Sequence, residues 1–420
     1  SFLPPEGKRL DRYYRIYRVP AQKRIYRSVI REIRQRGSAN VLFIASSISM
    51  WRYEGICELL VKDKRFSVMI AISPFICYSK ESQEKDVDGL CNLFSKNGIP
   101  YKVIQTDEDY SELEKSFNPD LIFYPQPYGE MINESADWSN NMHHLIGYVP
   151  YNLGLSSPSW GYNQKFHNLA WRQYLPSEIH LKEACNHSDN RGENIVVAGE
   201  PRFDELATKA NSDPWKVMPD GLKRKKIIWA PHFQIFENDM FNRPEFLGIS
   251  DYMLELAMQL KDKAQFAFKP HPRLKSELYK HPLWGRKKTD EYYKAWSEMY
   301  NTQIELGEYI DLFKTSDAMI HNCGSFTGEY VYLNKPVGYV SGSEDELRRP
   351  LHKYGQLCID AHYVLSTKEM IKSFIDDVVL KNADSKKEVR SAVISEIMTM
   401  PNSKSVAQNI YEDLIKEFGF

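Results

Sequence analysis

The 420 residues contain two series in which short apolar segments alternate with helical stretches. This alternation limits most strongly how the chain can fold. From residue 40 onward, NVLFIAS and FSVMIAIS have the length and composition of buried strands, and YEGICELLVKD between them is typical of a helix. Buried strands separated by helices are characteristic of parallel sheets with right-handed crossovers. We therefore predict an α/β fold.

The alternating segments fall into two series separated by a polar stretch. The first continues through IPYKVIQ, PDLIFYPQP and HHLIGYVPYNLG to NIVVAGEPRFDEL, and the second contains KIIWAPHF, FAFKPHPRL, DAMIHNCGS and KPVGYV. A chain of this length exceeds one ordinary core. We predict two Rossmann-like, doubly wound domains facing across a cleft. The expected segments are a basic helical extension (1–37), an N-terminal domain (38–205), a linker (206–224), a C-terminal domain (225–385) and C-terminal helices (386–420).

The net charge of −1 conceals a strongly basic segment near the start. Residues 8–36 contain eleven Lys or Arg and two acidic residues, a net charge of +9. The basic residues recur at helical spacing between aromatic and aliphatic ones, with Pro20 as a potential break. Such a helix can lie on an anionic membrane surface, or it can pack on the domain with its arginines in solvent. Nucleic-acid binding is disfavoured because no matching motif accompanies the charge.

Two further sequence features bear on location. We find no apolar window long enough to span a bilayer and no signal-peptide pattern near residue 1. The six cysteines are scattered without metal-binding spacing, which favours free thiols in a reducing compartment. We therefore expect a cytoplasmic protein, and we predict no metal site.

Three predicted strands of the second series end in groups that can bind an anion. Because the carboxyl ends of parallel strands share one edge, we expect these residues to converge on a diphosphate. Three alternatives remain: an ordinary polar turn at residues 321–325, a strand-capping role for His271 and a packing role for His232. Phosphate would repel Glu329, so a ribose diol is its expected partner. The candidates are His232, Lys269, His271, Arg273, His321, Asn322, Gly324, Ser325, Thr327 and Glu329.

The order GEPRFDEL, WAPHF, FKPHPRL and YIDLFKTSDAMIHNCGSFTGEYVYLNKPV resembles the CDP-glycerol glycerophosphotransferase family of teichoic acid and capsule assembly. The resemblance covers roughly residues 120–345. It implies a GT-B fold with an acceptor domain followed by a nucleotide-donor domain. It also implies transfer of glycerol phosphate, or a related polyol phosphate, from a CDP-activated donor. Because the candidate residues include no carboxylates arranged for a metal, we expect this transfer to be metal-independent and to need no further cofactor. By the same resemblance, His271 contacts the donor diphosphate, the 322–325 segment binds phosphate, and Glu329 lies near the ribose.

The acceptor side is less well defined. Family members carry a Trp-His-Gly-Thr-Pro segment, but the corresponding stretch here, HHLIGYVPYNLGLSS, has no histidine at the matching place. We list His143 and His144 with His232 and His271 as catalytic candidates, while a base elsewhere remains an alternative. Tyr151, Asn152 and Arg202 are the expected acceptor-side residues. The last of these belongs to the GEPRFDEL turn.

Two other functions stay open. HNCGS replaces the family's usual Thr-Asp-Tyr-Ser-Ser, so a GT-B glycosyltransferase using a nucleotide-sugar in capsule or lipopolysaccharide synthesis is the main alternative. A carbohydrate-binding protein without activity is the second. For the leading hypothesis, the acceptor is a polysaccharide or a lipid-linked chain at the inner face of the membrane. The basic segment would then serve as a reversible anchor.

Overall fold

The computed structural model describes residues 17–156, 161–236 and 245–420, which form two compact units. The first unit contains Ser1–Asp204 and Met400–Phe420, and the second contains Glu205–Thr399. The part of the predicted basic extension before residue 17 lies outside the described residues.

The first unit is built on a seven-stranded sheet in the order β3-β2-β1-β4-β5-β6-β7, with every neighbouring pair parallel. Its strands are β1 (Ala39–Ala45), β2 (Phe66–Ile72), β3 (Tyr101–Val103), β4 (Leu121–Tyr124), β5 (Leu145–Tyr148), β6 (Arg172–Leu175) and β7 (Ile195–Val197). Its helices are α1 (Val19–Arg36), α2 (Glu54–Lys62), α3 (Lys80–Lys96), α4 (Asp107–Phe117), α5 (Lys165–Leu169), α6 (Glu178–His187) and α7 (Pro201–Ala207), the last of which runs into the second unit.

The second unit contains a six-stranded parallel sheet in the order β10-β9-β8-β11-β12-β13. Its strands are β8 (Lys225–Ala230), β9 (Ala264–Phe268), β10 (Thr302–Ile304), β11 (Ala318–His321), β12 (Val337–Val340) and β13 (Tyr363–Leu365). Its helices are α8 (Glu245–Gln259), α9 (Leu274–Lys280), α10 (Gly285–Glu298), α11 (Ile310–Thr315), α12 (Gly324–Val331), α13 (Glu344–Arg348), α14 (Lys353–Asp360), α15 (Lys368–Ser373) and α16 (Lys387–Ile397). A π-helical turn, Phe374–Leu380, follows α15.

The central strands show why the prediction of two Rossmann-like parallel sheets is confirmed. Six of the seven residues of β1 are buried, and all five residues of β9 are buried. Burial on both faces is what helices on either side of a parallel sheet produce. The apolar runs in the sequence therefore mark the middle of each sheet.

The last helix, α17 (Val406–Phe418), belongs to the first unit. Its apolar residues at four-residue spacing, Val406, Ile410, Leu414 and Phe418, are buried in the first unit's core. Asp204 Oδ2 accepts the Val406 N–H at 2.8 Å, so the GEPRFDEL segment caps this helix. The predicted final segment 386–420 is thus divided, with α16 in the second unit.

Helix α1 accounts for the described part of the predicted basic helix. Pro20 lies in its first turn, where a missing N–H costs nothing, so the helix begins there and is not broken by it. Tyr26 and Ile33 are buried in the first unit's core, and the Tyr26 hydroxyl donates to the Leu169 carbonyl at 2.8 Å.

No helix in the described part of the chain has the length and apolar character needed to cross a membrane.

Candidate active site

Strands β8, β9 and β11 bring three of the predicted segments to one edge of the second unit's sheet. Trp229 of β8 pairs with Phe268 of β9, and Ala230 pairs with His321 of β11. The carboxyl ends of these three strands are therefore neighbours, and the residues that follow them share this edge. The geometry brings His232, His271 and Asn322 together.

Two histidines and one arginine surround the ring of Phe233. The rings of His232 and His271 have centroids 4.9 Å apart, and they lie 4.4 Å and 4.5 Å from the Phe233 ring. The Arg273 guanidinium lies 4.2 Å above the same ring, at cation–π distance. Phe233, which the sequence analysis did not select, therefore holds Arg273 next to both imidazoles.

His271 has a defined tautomer. Its Nδ1 accepts the Arg273 backbone N–H at 3.1 Å. Burial, followed by the nearby His232, Arg273 and Lys269, lowers the pKa of His271 to about 3, so the ring is neutral at physiological pH. A neutral imidazole with an accepting Nδ1 carries its hydrogen on Nε2. His271 is thus a hydrogen-bond donor through Nε2.

Asn322 and His232 form a second pair of polar groups. Asn322 Oδ1 accepts the His232 backbone N–H at 2.7 Å, which fixes the orientation of the amide. Asn322 Nδ2 and His232 Nδ1 are buried and have no hydrogen-bond partner among the described residues. Burial and the charge of Arg273 lower the pKa of His232 to about 4. Each unpaired buried group costs roughly 1–3 kcal/mol, a cost that a polar ligand would remove.

Lys269 links the β9 end to the region around α12. It is 7% exposed, and its Nζ donates to the Gly307 carbonyl at 2.9 Å and lies 5.5 Å from the Tyr309 ring centroid. Burial lowers its pKa. The Tyr309 hydroxyl donates to Glu329 Oε2 at 2.8 Å, and Glu329 is buried. The proposed contact of Glu329 with a ribose stays a prediction.

The start of α12 presents Gly324 and Ser325 to solvent, as a phosphate-binding helix start requires. Cys323 occupies the N-cap position, with its thiol near the N–H groups of Ser325 and Phe326, and burial raises the pKa of this thiol to about 11. Thr327 differs from the expectation. Its Oγ1 donates to the Cys323 carbonyl at 3.1 Å, so this buried hydroxyl is engaged by its own helix.

The expectation that His321 binds the diphosphate conflicts with its environment. The residue is fully buried, and its Nε2 lies 3.1 Å from Nε2 of His362. His362 Nδ1 donates to the Cys358 carbonyl at 2.6 Å, so Nε2 of the neutral His362 ring is an acceptor. The hydrogen between the two rings is therefore on Nε2 of His321. Nδ1 of His321 accepts the Cys323 N–H at 3.1 Å. Burial lowers the pKa of both rings, that of His362 to about 3. His321 therefore supports the strand end from inside.

The position of His143 and His144 argues against either being the acceptor base. They precede β5, at the amino edge of the first unit's sheet, whereas a ligand site is expected at the carboxyl edge. Their Nε2 atoms lie 2.9 Å and 3.0 Å from Glu114 Oε1. Burial lowers the pKa of His144, although Glu114 opposes the effect.

Tyr151 and Asn152 follow the carboxyl end of β5, the edge expected for an acceptor. Tyr151 shares a hydrogen bond with Tyr128, and burial raises the pKa of its phenol. Asn152 Oδ1 accepts the N–H of Gly154, whose φ of +61° favours glycine. These contacts define the shape of the loop after β5.

His180, which the sequence analysis missed, holds this loop. It is 2% exposed, and its Nε2 donates to the Leu153 carbonyl at 2.6 Å while Nδ1 contacts the Ser177 hydroxyl at 2.8 Å. His180 is the third residue of α6, three positions after Ser177, and this place in the first turn was the available signal.

Arg202 is buried in α7, and its backbone N–H donates to Glu200 Oε1 at 3.2 Å.

Two Rossmann-like parallel sheets, one with His232, His271 and Asn322 at its carboxyl edge, are the architecture of the GT-B class of enzymes. Solved structures of similar fold include the wall teichoic acid polymerase TagF (14% identical, TM-score 0.58, covering 97% of this chain and 96% of that chain). Others are UDP-N-acetylglucosamine 2-epimerases from Listeria monocytogenes (14%, TM-score 0.58, 91% and 96%) and Neisseria meningitidis (14%, TM-score 0.54, 90% and 100%).

The family follows from the sequence itself. A profile of the CDP-glycerol:poly(glycerophosphate) glycerophosphotransferase family matches residues 173–414, more than half of the chain. The chain belongs to this family and is a glycerophosphotransferase-like transferase. A search of curated protein sequences gave no match.

Proposed function

We propose that the protein transfers glycerol phosphate, or a related polyol phosphate, from a CDP-activated donor to a hydroxyl group of a teichoic-acid-like or other surface polymer. Family membership supports the reaction class. The TagF polymerase of similar fold was solved after a soak with CDPG. The observation that carries the proposal is the buried Nδ2 of Asn322, which has no partner in the described part of the chain and lies beside the histidine and arginine cluster.

The donor diphosphate fits the chemistry of this cluster. Asn322 Nδ2 and His271 Nε2 supply neutral N–H donors, and Arg273 supplies positive charge. The start of α12 adds backbone dipoles directed at an anion. Hydrogen-bond donors that are already in place before the reaction stabilise charge more effectively than water does.

In the proposed reaction, the acceptor hydroxyl oxygen attacks the phosphorus distal to the cytidine. A new P–O bond forms, the P–O bond to CMP breaks, and CMP leaves with the electron pair. His271 and Arg273 stabilise the charge on the departing phosphate. The hydroxyl proton passes to a base other than His271. We further propose that the positive charge of Arg273 and the neutral N–H donors bind the donor without a metal ion, so turnover in EDTA should equal turnover in buffer.

The sharpest test replaces the buried amide. Asn322→Asp keeps the shape and the acceptor oxygen but exchanges the NH₂ for a charged oxygen that repels phosphate. We expect CMP release from CDP-glycerol with a glycerol-phosphate-primed acceptor to fall at least 100-fold, as for loss of one catalytic hydrogen-bond donor. The matched control is Asn382→Asp, which makes the same change at an exposed position of the second unit.

Two outcomes would contradict the proposal. The first is an Asn322→Asp enzyme with unchanged KM and kcat. The second is thermal stabilisation of the wild-type protein by UDP and not by CDP, which would favour a nucleotide-sugar glycosyltransferase. A ligand at 100 times its Kd raises stability by about 2.7 kcal/mol, which is readily measured.

We also propose that the enzyme works in the cytoplasm at an anionic membrane surface, through the exposed face of α1. Arg24, Arg27 and Arg31 are exposed at helical spacing, and none forms an ion pair within residues 17–156, 161–236 and 245–420. By contrast, Lys23 is paired with Glu193. A basic residue near an anionic leaflet contributes about 1 kcal/mol.

Sedimentation with vesicles tests the membrane proposal. We expect the wild-type protein to bind vesicles that contain the anionic lipid phosphatidylglycerol and to dissociate from them in high salt. Arg24→Gln combined with Arg31→Gln should weaken binding by roughly ten- to thirty-fold. Lys261→Gln combined with Lys263→Gln, an equal charge change in the second unit, should not. Equal binding by both double variants would refute this role for α1.

A further inference from the structure

Three side chains with metal-binding groups meet at the amino edge of the first unit's sheet. The Nε2 atoms of His143 and His144 lie 2.9 Å and 3.0 Å from Glu114 Oε1. One potential ligand atom from each residue lies within 4.8 Å of the other two. The rings of the two histidines are 3.9 Å apart, so both imidazoles approach the carboxylate from the same side.

The fold assembles this cluster from separate elements. Glu114 lies in the last turn-and-a-half of α4, and the histidines lie in the turn that leads into β5. The intervening β4 pairs with β5 in parallel register, which sets the distance between α4 and that turn. The start of α4 is fixed by a capping box between Thr106 and Asp109. Helix α4 therefore positions Glu114, and the start of β5 positions the two histidines.

The two distances from Glu114 Oε1 to the imidazole nitrogens are close to those around a tetrahedral metal ion. With metal–ligand bonds of about 2.0–2.1 Å, tetrahedral geometry places neighbouring ligand atoms about 3.3 Å apart. Glu114 would need to move only a few tenths of an ångström from each imidazole. Two imidazoles and one carboxylate match Zn²⁺ and neighbouring transition metals, whereas Mg²⁺ and Ca²⁺ prefer oxygen ligands.

We propose that Glu114, His143 and His144 bind a transition-metal dication of the Zn²⁺ type, with water as the fourth ligand. The side chain of His143 is 58% exposed, which leaves a path for the ion and the water, while that of His144 is 9% exposed. The ion would join α4 to the start of β5. This metal site is separate from the carboxyl edge of the second unit's sheet, which the proposed transfer reaction uses. The metal-site proposal does not depend on that reaction.

Titration of tag-free, metal-stripped protein with Zn²⁺ by calorimetry tests the proposal. We expect one tight site, no heat with Mg²⁺, and a visible Co²⁺ absorption band typical of low coordination number. His143→Ala and Glu114→Gln should each weaken Zn²⁺ binding at least ten-fold. His187→Ala is the matched control, because His187 pairs with Glu183 at 3.5 Å without a second histidine ligand.

The outcomes separate this site from other metal-binding groups. Cys77 and Cys185 are exposed thiols, so the titration is repeated with both replaced by serine. Zn²⁺ binding that disappears in the serine variant, or that is unchanged in both His143→Ala and Glu114→Gln, would overturn the proposal. Circular dichroism checks folding, and His143 is exposed enough for its truncation to be tolerated.

Discussion

Single hydrogen bonds define the chemistry of the candidate active site at the residue scale. The Arg273 backbone N–H donates a hydrogen bond to Nδ1 of His271, and the lowered pKa of His271 keeps the ring neutral. The remaining Nε2–H can therefore donate to a phosphate oxygen without carrying charge. A neutral donor of this kind is unsuited to removing the acceptor proton, so the base must be another group.

The direction of that donor can be tested by two amide substitutions. Gln at position 271 can place an NH₂ near the position of Nε2, whereas Asn places it near Nδ1. We expect His271→Asn to lose about 10²–10³-fold in kcat and His271→Gln to lose markedly less. Steady-state CMP release measures both, with thermal unfolding to confirm the fold. Equal losses in the two variants would contradict the assigned tautomer.

The residues around this site show what the sequence can and cannot predict. His232, His271 and Asn322 were predictable because each follows an apolar strand, and strand order then brings them together. The assignment of His321 as a ligand stays a prediction that its burial argues against, since a residue at the last position of a strand can face either side of the sheet. Its partner His362 is far away in the sequence, and no spacing signals their contact.

At the scale of secondary structure elements, α17 shows how much one amphipathic helix contributes. Leu414 is fully buried in the first unit's core, and Tyr174 and Arg172 contact Asp413 of the same helix. The helix is fixed at its start by the carboxylate of Asp204. Hydrophobic burial and polar contacts therefore attach it along its whole length.

Truncation of the buried leucine should weaken the first unit. We expect Leu414→Ala to reduce the free energy of unfolding by about 2–5 kcal/mol, because it removes buried apolar contacts and leaves a cavity. Lys416→Ala, two residues further on, should change it by less than about 0.5 kcal/mol. Urea denaturation followed by fluorescence measures both. A loss below 1 kcal/mol for Leu414→Ala (well under the usual range) would mean that α17 is only loosely attached.

The strands divide into those that the sequence predicts and those that it does not. The buried central strands β1, β8 and β9 are mostly apolar and were predicted. Strands β6, β10 and β13 have only three or four residues and were missed, and β6 and β10 also include polar side chains. Such short segments become strands through pairing with a neighbour already in place, a tertiary effect that local sequence does not encode.

At the scale of the whole molecule, buried neutral histidines make stability depend on pH. Burial lowers the pKa of His167 and His232 to about 4 and that of His271 and His362 to about 3. In the unfolded chain the same groups titrate near 6.5. Below that pH the unfolded state binds more protons than the folded state, so the free energy of unfolding falls as the pH falls.

This effect should be visible between pH 6.5 and 5, above the range in which most carboxylates titrate. Each buried histidine should contribute a loss of about 1–2 kcal/mol across this interval. His362→Gln should reduce the pH slope of stability, whatever its effect on absolute stability. Urea unfolding at several pH values measures the slope. A wild-type stability that is constant over this range would refute the prediction.

The return of α17 to the first unit also affects how the protein is made. Residues 406–418 leave the ribosome after Glu205–Thr399, so the core of the first unit stays incomplete until the second unit has been synthesised. Glu205–Thr399, by contrast, has its own sheet and can fold while synthesis continues. Deletion of α17 would therefore harm the unit whose strands all precede Glu205 in the sequence.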